Sequence, residues 1–409
     1  MAAQTRSNID IADVTGTATV TALGIAGDGL ADKCAIAGAV PGDVITDGQI
    51  TTASPHRRAP PCAHFGACGG CLTQHVADAY LVDWKAGLTA RALRAQGLPE
   101  AIHAVHVSPP RSRRRATFTG RRTKKTIELG FLARRSDCLI PIDDCPLVLP
   151  EITAALPALR AITRIAASRR SRVKLAVTAF DDGLDLAVEN GRDLGLDELD
   201  ELIQAAAGFV RLAWNGEVIF QHHRPSLRFG RARVTPPPGA FLQATATGEA
   251  AIVAAARAGI TGAARVVDLF AGCGTLSLPL AEMAAVHAVE FDPEMLNALA
   301  AGWRSATGLK PVSTEARDLF RRPLLAAELK SFDIAVLDPP RAGAAAQIAE
   351  IAASDLARLV YVSCNPASFA RDARVLCDAG FTLDHLEVID QFRWSPHVEL
   401  AAHLSRPAL

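Results

Sequence analysis

A multidomain α/β protein is expected, with an N-terminal OB-like β-barrel over residues 1–55, a central α+β unit over 56–238 and a C-terminal doubly wound, Rossmann-like unit over 239–409. Three observations carry this reading. The chain is 409 residues long, more than one hydrophobic core usually organises. Short Thr/Val/Ile runs punctuated by Gly turns fill the first fifty-odd residues. Beyond Gly239, strand-like and helix-like runs alternate as in a parallel sheet.

The N-terminal runs include Thr17 to Thr21 and Val44-Ile45, with turns at Gly27-Asp28-Gly29 and Pro41-Gly42-Asp43. Such a barrel commonly binds single-stranded nucleic acid, and it serves as often as plain structure. Pro55 to Pro61 reads as a linker, and Pro236-Pro237-Pro238-Gly239 as the second boundary. Within the central unit, Ser171 to Phe180 and Gly208 to Gln221 read as strands between helical patterns.

Composition narrows the class. Hydrophobic residues make up 49% and charged residues 21%, as in ordinary globular proteins. The uncharged stretch Val14 to Gly27 is too short and too polar to span a bilayer, and nothing resembles a secretory signal. A cytoplasmic protein with reduced thiols and no membrane partner is therefore expected. The charges balance at 43 acidic and 43 basic residues, yet ten Lys and Arg lie between Arg111 and Arg135 against the single acid Glu128. That stripe is a candidate for phosphate contacts, with a solvated basic face as the plain alternative.

In the C-terminal unit seven strands are expected: Arg265–Leu269, Val286–Glu290, Val312–Glu315, Asp333–Leu337, Leu359–Ser363, Thr382–Ile389 and His397–Leu404. Ligands of such sheets bind beyond the strand ends. The first strand runs into Asp268-Leu-Phe-Ala-Gly272-Cys-Gly274, whose Gly272 and Gly274 let a ligand approach the backbone. The second ends in Glu290, placed to accept hydrogen bonds from ribose hydroxyls. A dinucleotide fits less well, because Ser277 stands where a third small glycine would pack the helix. Two stiff polar loops, Asp338-Pro339-Pro340-Arg341 and Ser363-Cys364-Asn365-Pro366, share the rim. Cys364 there is a candidate nucleophile, although an intracellular cysteine is more often a buried structural thiol. The spacing Cys62-x5-Cys68-x2-Cys71, followed by Cys145, offers four thiolates for one metal centre, with zinc and a four-iron cluster both compatible.

Leu359 to Asp372, containing Ser363-Cys364-Asn365-Pro366, and Val336 to Gly343, containing Asp338-Pro339-Pro340-Arg341, resemble the signatures of the bacterial RNA uracil-5-methyltransferase family. The resemblance implies S-adenosylmethionine as methyl donor, Cys364 as the nucleophile that adds to uracil C6, and Glu399 in Pro396-His397-Val398-Glu399 as the base for the C5 proton. It further implies cofactor contacts from Gln243, Phe270, Glu290, Asp318 and Asp338. The loop Cys62 to His75 resembles the iron-sulfur motif of the 23S ribosomal RNA branch of that family. A [4Fe-4S] cluster on Cys62, Cys68, Cys71 and Cys145 is implied, with a TRAM-like N-terminal barrel and ribosomal RNA as the favoured partner. No obligate protein partner is implied, and Cys34, Cys138, Cys273 and Cys377 are left as ordinary thiols. A transfer-RNA uridine methyltransferase and a non-catalytic iron-sulfur RNA-binding or assembly factor are the competing readings. A cytosine-5 enzyme fits less well, since Arg341 stands where a second cysteine would follow the prolines. An N-methyltransferase fits less well too, because the Pro-Pro loop lacks a terminal aromatic.

Overall fold

The computed structural model describes residues 7–32 and 34–407; the outermost ends of the expected first and last units, and Lys33, lie outside the described residues. The N-terminal unit is all-β: strands to Thr52 form a four-stranded and a three-stranded sheet around Val14, Val20, Ile36 and Ile45. The segment 55–77 follows with little regular structure and carries three of the cysteines.

The central unit is a seven-stranded sheet in the spatial order Leu139–Pro141, Ile127–Leu132, Arg115–Arg122, Arg172–Phe180, Gly183–Glu189, Arg211–Trp214 and Glu217–Gln221. Its strands alternate: Ala116, Phe118 and Gly120 are buried between more exposed neighbours. The covering helix Leu156–Ala166 buries Leu156, Leu159, Ile162 and Ile165 at helical spacing against that face. The expected single strand 208–221 is a hairpin, turned at Asn215-Gly216, both of which have positive φ.

The large sheet has eight strands. In chain order they are β1 (Ala104–Val107), β2 (Arg265–Leu269), β3 (Ala285–Glu290), β4 (Val312–Ala316), β5 (Ile334–Leu337), β6 (Arg358–Ser363), β7 (Thr382–Asp390) and β8 (Glu399–Ser405). Across the sheet they run β4-β3-β2-β5-β6-β8-β7-β1. β2 to β6 are parallel, and β8 is antiparallel to both β6 and β7. Strand β5 is buried along its whole length, as expected where helices cover both faces. The reversal of strand order between β2 and β5 opens the crevice in which such sheets hold ligands.

Two expectations need correction. The expected seven strands become eight because β1, from the middle of the chain, pairs in parallel with β7 at the sheet edge. The hairpin Leu227–Phe229 and Ala232–Val234 packs into the core of the C-terminal unit, so the boundary in packing falls before Pro236.

The basic stripe is also only partly available to a ligand. Arg114 is buried and pairs with Glu249, while its Nε donates to the Gln243 carbonyl at 2.8 Å. Arg115 donates to the Leu242 carbonyl at 2.7 Å. Arg134 forms a two-pronged pair with Asp28 of the N-terminal unit, and Arg111 and Arg121 pair with Asp144 and Glu128. Among the described residues Lys124, Lys125 and Arg135 have no carboxylate partner, so they keep their charge for solvent or a polyanion.

Candidate active site

A cavity of about 690 Å³ lies over the carboxyl ends of β2 to β6. It is lined by Gln243, Asp268, Phe270, Gly272, Glu290, Asp318, Asp338, Arg341, Cys364 and Glu399, among others. Eight of the nine expected cofactor and reaction residues line it; the ninth, Gly274, packs against Leu299 and Leu278 instead.

The glycine turn explains its own composition. Phe270, Gly272 and Gly274 have φ of +64°, +54° and +94°, a region that costs a side-chain-bearing residue about 1–2 kcal/mol. A Cβ on Gly274 would stand 2.8 Å from Leu299 Cγ, so the turn packs only with glycine there. The backbone N–H of Gly272 donates to Glu290 Oε2 at 3.0 Å, and those of Phe291 and Asp292 donate to Oε1 at 2.7 and 3.1 Å. Three fixed donors hold Glu290 in one orientation with lone pairs still facing the cavity. Asp318 accepts from the N–H groups of Phe320 and Arg321, capping its own turn as it lines the cavity.

Sheet register brings the reaction residues together. The antiparallel β6·β8 pair is registered as far as Ser363 opposite Leu400, so Cys364, just past the end of β6, and Glu399, at the start of β8, both come to the wall of this cavity. Burial, then the negative charges of Glu399 and Asp338, push the Cys364 thiol up to about 11, while Arg341 opposes them. Burial and the Asp338 charge raise Glu399 well above the ordinary carboxylate range. Glu399 Oε2 is buried without a hydrogen-bond partner. A buried oxygen with no hydrogen-bond partner, on a carboxyl that faces the cavity, is placed to take a proton from a bound molecule when ionised.

A second cavity of about 430 Å³ is lined by Cys62, Cys68, Cys71 and Cys145, with Phe65, Arg113, Ile142, Phe392 and His397 also on its wall. Burial is the largest influence on Cys71, which is pushed up to about 12, and the neighbouring cysteines add to the rise. Among the described residues, no group of three or more His, Cys, Asp or Glu side chains stands as a ready ligand set for a metal ion.

Comparison with known proteins identifies the lineage. A family profile described as tRNA (uracil-5-)-methyltransferase matches residues 238–407. An uncharacterised RNA methyltransferase of Rhizobium meliloti is 41% identical, over 96% of this chain and all of the relative. The chain belongs to the RNA uracil-5-methyltransferase family. A 23S rRNA (uracil(1939)-C(5))-methyltransferase of Halomonas elongata is 33% identical over 88% of this chain and 79% of the relative. The crystal structure of a Pyrococcus abyssi tRNA (uracil-54, C5)-methyltransferase in complex with S-adenosyl-L-homocysteine shares the fold. It has a TM-score of 0.73 at 20% identity and covers 95% of this chain and 99% of that one.

The methyltransferase cavity also contains residues that the sequence did not single out. Asp268 is buried, accepts from Ser277 Oγ at 2.5 Å through Oδ2, and leaves Oδ1 without a partner. Burial pushes it up to about 7. Its place at the end of β2, directly before the glycine turn, is the sequence feature that marks it. Phe241 and Phe291 stand exposed at the cavity mouth, the former beneath the Arg115 guanidinium at 5.2 Å. Among the described residues no helix is long and apolar enough to cross a membrane.

Proposed function

We propose that this methyltransferase transfers a methyl group from S-adenosylmethionine to carbon 5 of a uridine in 23S ribosomal RNA, with Cys364 as nucleophile and Glu399 as base. The observation that carries the reading is that the Cys364 thiol and the Glu399 carboxyl line one cavity with the glycine turn and Glu290, close enough for the Glu399 charge to act on the thiol. The relative in Halomonas elongata favours the ribosomal substrate.

Uracil C5 is too electron-poor to take a methyl group unaided. The Cys364 sulfur forms a bond to C6, and the C5–C6 π electrons move onto the C4 carbonyl oxygen, leaving C5 nucleophilic. Bound S-adenosylmethionine supplies an electrophilic methyl on a sulfonium. Once C5 carries that methyl, Glu399 takes the C5 proton, the C5–C6 double bond re-forms and the Cys364 sulfur departs with its electron pair. Arg341, the cation that opposes the rise of the Cys364 thiol, favours the thiolate needed for the first step. Glu290 would hold the ribose, and Gln243, Phe270, Gly272, Gly274, Asp318 and Asp338 would complete the cofactor site. The target base must leave its stack to reach Cys364.

The four cysteines of the second cavity fit a [4Fe-4S] cluster. They are all thiols, they line one cavity and they influence one another electrostatically. Cys62, Cys68, Cys71 and Cys145 would hold it, and its contribution would be to order the loop 62–75 beside the RNA-facing part of the central unit. Mass-spectrometric mapping of 5-methyluridine in ribosomal and transfer RNA, from cells with and without the gene, tests the function. Loss from 23S RNA is expected; loss confined to transfer RNA would replace the substrate, and no loss in either would favour a non-catalytic RNA-binding factor.

A further inference from the structure

The strand Arg115–Arg122 of the central sheet has one end at the reaction cavity and the other well away from it. At its start the Arg115 guanidinium stands 5.2 Å from the ring of Phe241, which lines that cavity. Its far end, at Arg122, lies roughly 23 Å further on at the rise of an extended strand. Two turns meet at that far end. The turn 123–126 presents Lys124 and Lys125, and the loop 168–171 presents Arg169 and Arg170, all four exposed. The turns are neighbours because Arg172, directly after the loop, pairs in register with Arg121. Hydroxyls order both of them: Thr123 Oγ1 accepts from the N–H groups of Lys125 and Thr126 at 3.2 and 2.8 Å, and Ser168 Oγ accepts from those of Arg170 and Ser171 at 3.2 and 3.1 Å. The charge is not neutralised within the protein. Neighbouring Arg121, Arg164 and Lys174 pair with Glu128, Glu201 and Glu189. Among the described residues Arg122, Lys124, Lys125, Arg169, Arg170 and Arg172 pair with no carboxylate, and Arg122 reaches only the Arg164 carbonyl, at 3.2 Å. Arg172 stands directly across the ladder from Arg121, like charge against like, which costs stability in the free protein.

We propose that this cluster is a second anchor for the RNA substrate, gripping the phosphates of a base-paired arm roughly 23 Å from the reaction cavity. A chain whose charges balance at 43 of each sign has no general attraction for a polyanion, so six unpaired cations on two adjoining turns form a local field of their own. A double-stranded arm fits better than a single strand because residues 121–126 and 168–174 contain no aromatic side chain on which unpaired bases could stack. Duplex RNA is held by its phosphates and its shape, which cations on ordered turns can meet. The anchor lies too far out to touch a flipped uridine, so it contributes to holding RNA and not to the chemical step. This inference rests on the reading that the substrate is RNA.

The experiment compares two double variants, Arg169→Gln/Arg170→Gln and Lys124→Gln/Lys125→Gln, with a control, Arg304→Gln/Lys310→Gln, that removes the same charge from exposed residues of the C-terminal unit. All six side chains are exposed, so the three proteins should unfold at the wild-type urea midpoint. Affinity for an RNA duplex of about 20 base pairs should fall about tenfold at ~0.1 M salt in each cluster variant, with the slope of log K against log salt shallower by about two. The control should stay within about twofold. On a 23S ribosomal RNA transcript, KM should rise about tenfold in the cluster variants while kcat stays within about twofold. Equal effects in the control, unchanged binding in both cluster variants, or a fall confined to kcat would overturn the anchor. So would a larger loss for an unpaired strand of the same length than for the duplex. Turnover by the wild type separates the two claims. If it methylates the transcript and the cluster variants match it, only the anchor fails; if it methylates neither ribosomal nor transfer RNA, the RNA reading fails and the anchor with it.

Discussion

Asp338, on the wall of the cavity proposed to hold the cofactor, should make cofactor binding sensitive to pH in a way that depends on the charge of the ligand. Burial pushes its carboxyl up to about 7, against a bond from Gln243 that pulls it down. A group titrating near 7 is roughly nine-tenths ionised at pH 8 and one-tenth ionised at pH 6. S-adenosylmethionine is a sulfonium cation, and only the ionised carboxylate attracts it. If the charged form carries the attraction, affinity should fall about tenfold between pH 8 and pH 6. Asp268, also pushed up to about 7, acts in the same direction and can only steepen the fall. S-adenosylhomocysteine has a neutral thioether and serves as the control, with a change of about twofold or less over the same range. Calorimetric titration of both ligands at the two pH values measures this. Identical pH dependence for the two, or a cation that binds more tightly at pH 6, would refute the reasoning.

Other perturbations follow from the same structure. Gly274→Ala puts a Cβ 2.8 Å from Leu299 Cγ at a φ of +94°, and should cost about 2–5 kcal/mol in urea unfolding. Gly272→Ala, with nothing within 4 Å of its Cβ, should cost only about 1–2 kcal/mol, and equal losses would contradict the packing argument. Lys85, fully buried in the helix Asp78–Ala95, donates to Asp390 Oδ1 at 2.5 Å and to the Phe392 carbonyl at 2.9 Å. Lys85→Met leaves a buried carboxylate unpaired and should destabilise by roughly 3–5 kcal/mol, with much of that recovered in Lys85→Met/Asp390→Leu. A double variant as unstable as the single one would show that the pair is not the cause. Cys68→Ser, purified without oxygen, should lose iron and RNA affinity while cofactor affinity stays within about twofold; stoichiometric zinc in the wild type, or a loss confined to the cofactor, would overturn the cluster assignment.

The parallel strands were legible because each is a short apolar run ending in a residue with special chemistry, and those endings are local facts. Cys364 and Glu399 stand in recognisable motifs, but their meeting on one cavity wall depends on antiparallel pairing of β6 with β8, which no local pattern states. The edge strand β1 was invisible for a similar reason: its partner β7 lies about 280 residues further along the chain. The basic stripe misled in part because charge counts do not show that Glu249 and two backbone carbonyls take up Arg114 and Arg115. Asp268 stands directly before the glycine turn, but its weight in the site shows only with its burial and its bond from Ser277.

The central claim is that Cys364 bonds covalently to the uracil ring. RNA carrying 5-fluorouridine in place of uridine traps such a bond, because fluorine cannot leave C5 as a proton. Incubation with S-adenosylmethionine, digestion and mass spectrometry should locate the adduct on the peptide containing Cys364, and Cys364→Ala should form none while still binding the cofactor. An adduct that persists in Cys364→Ala, or that maps to another cysteine such as Cys273, would contradict the account.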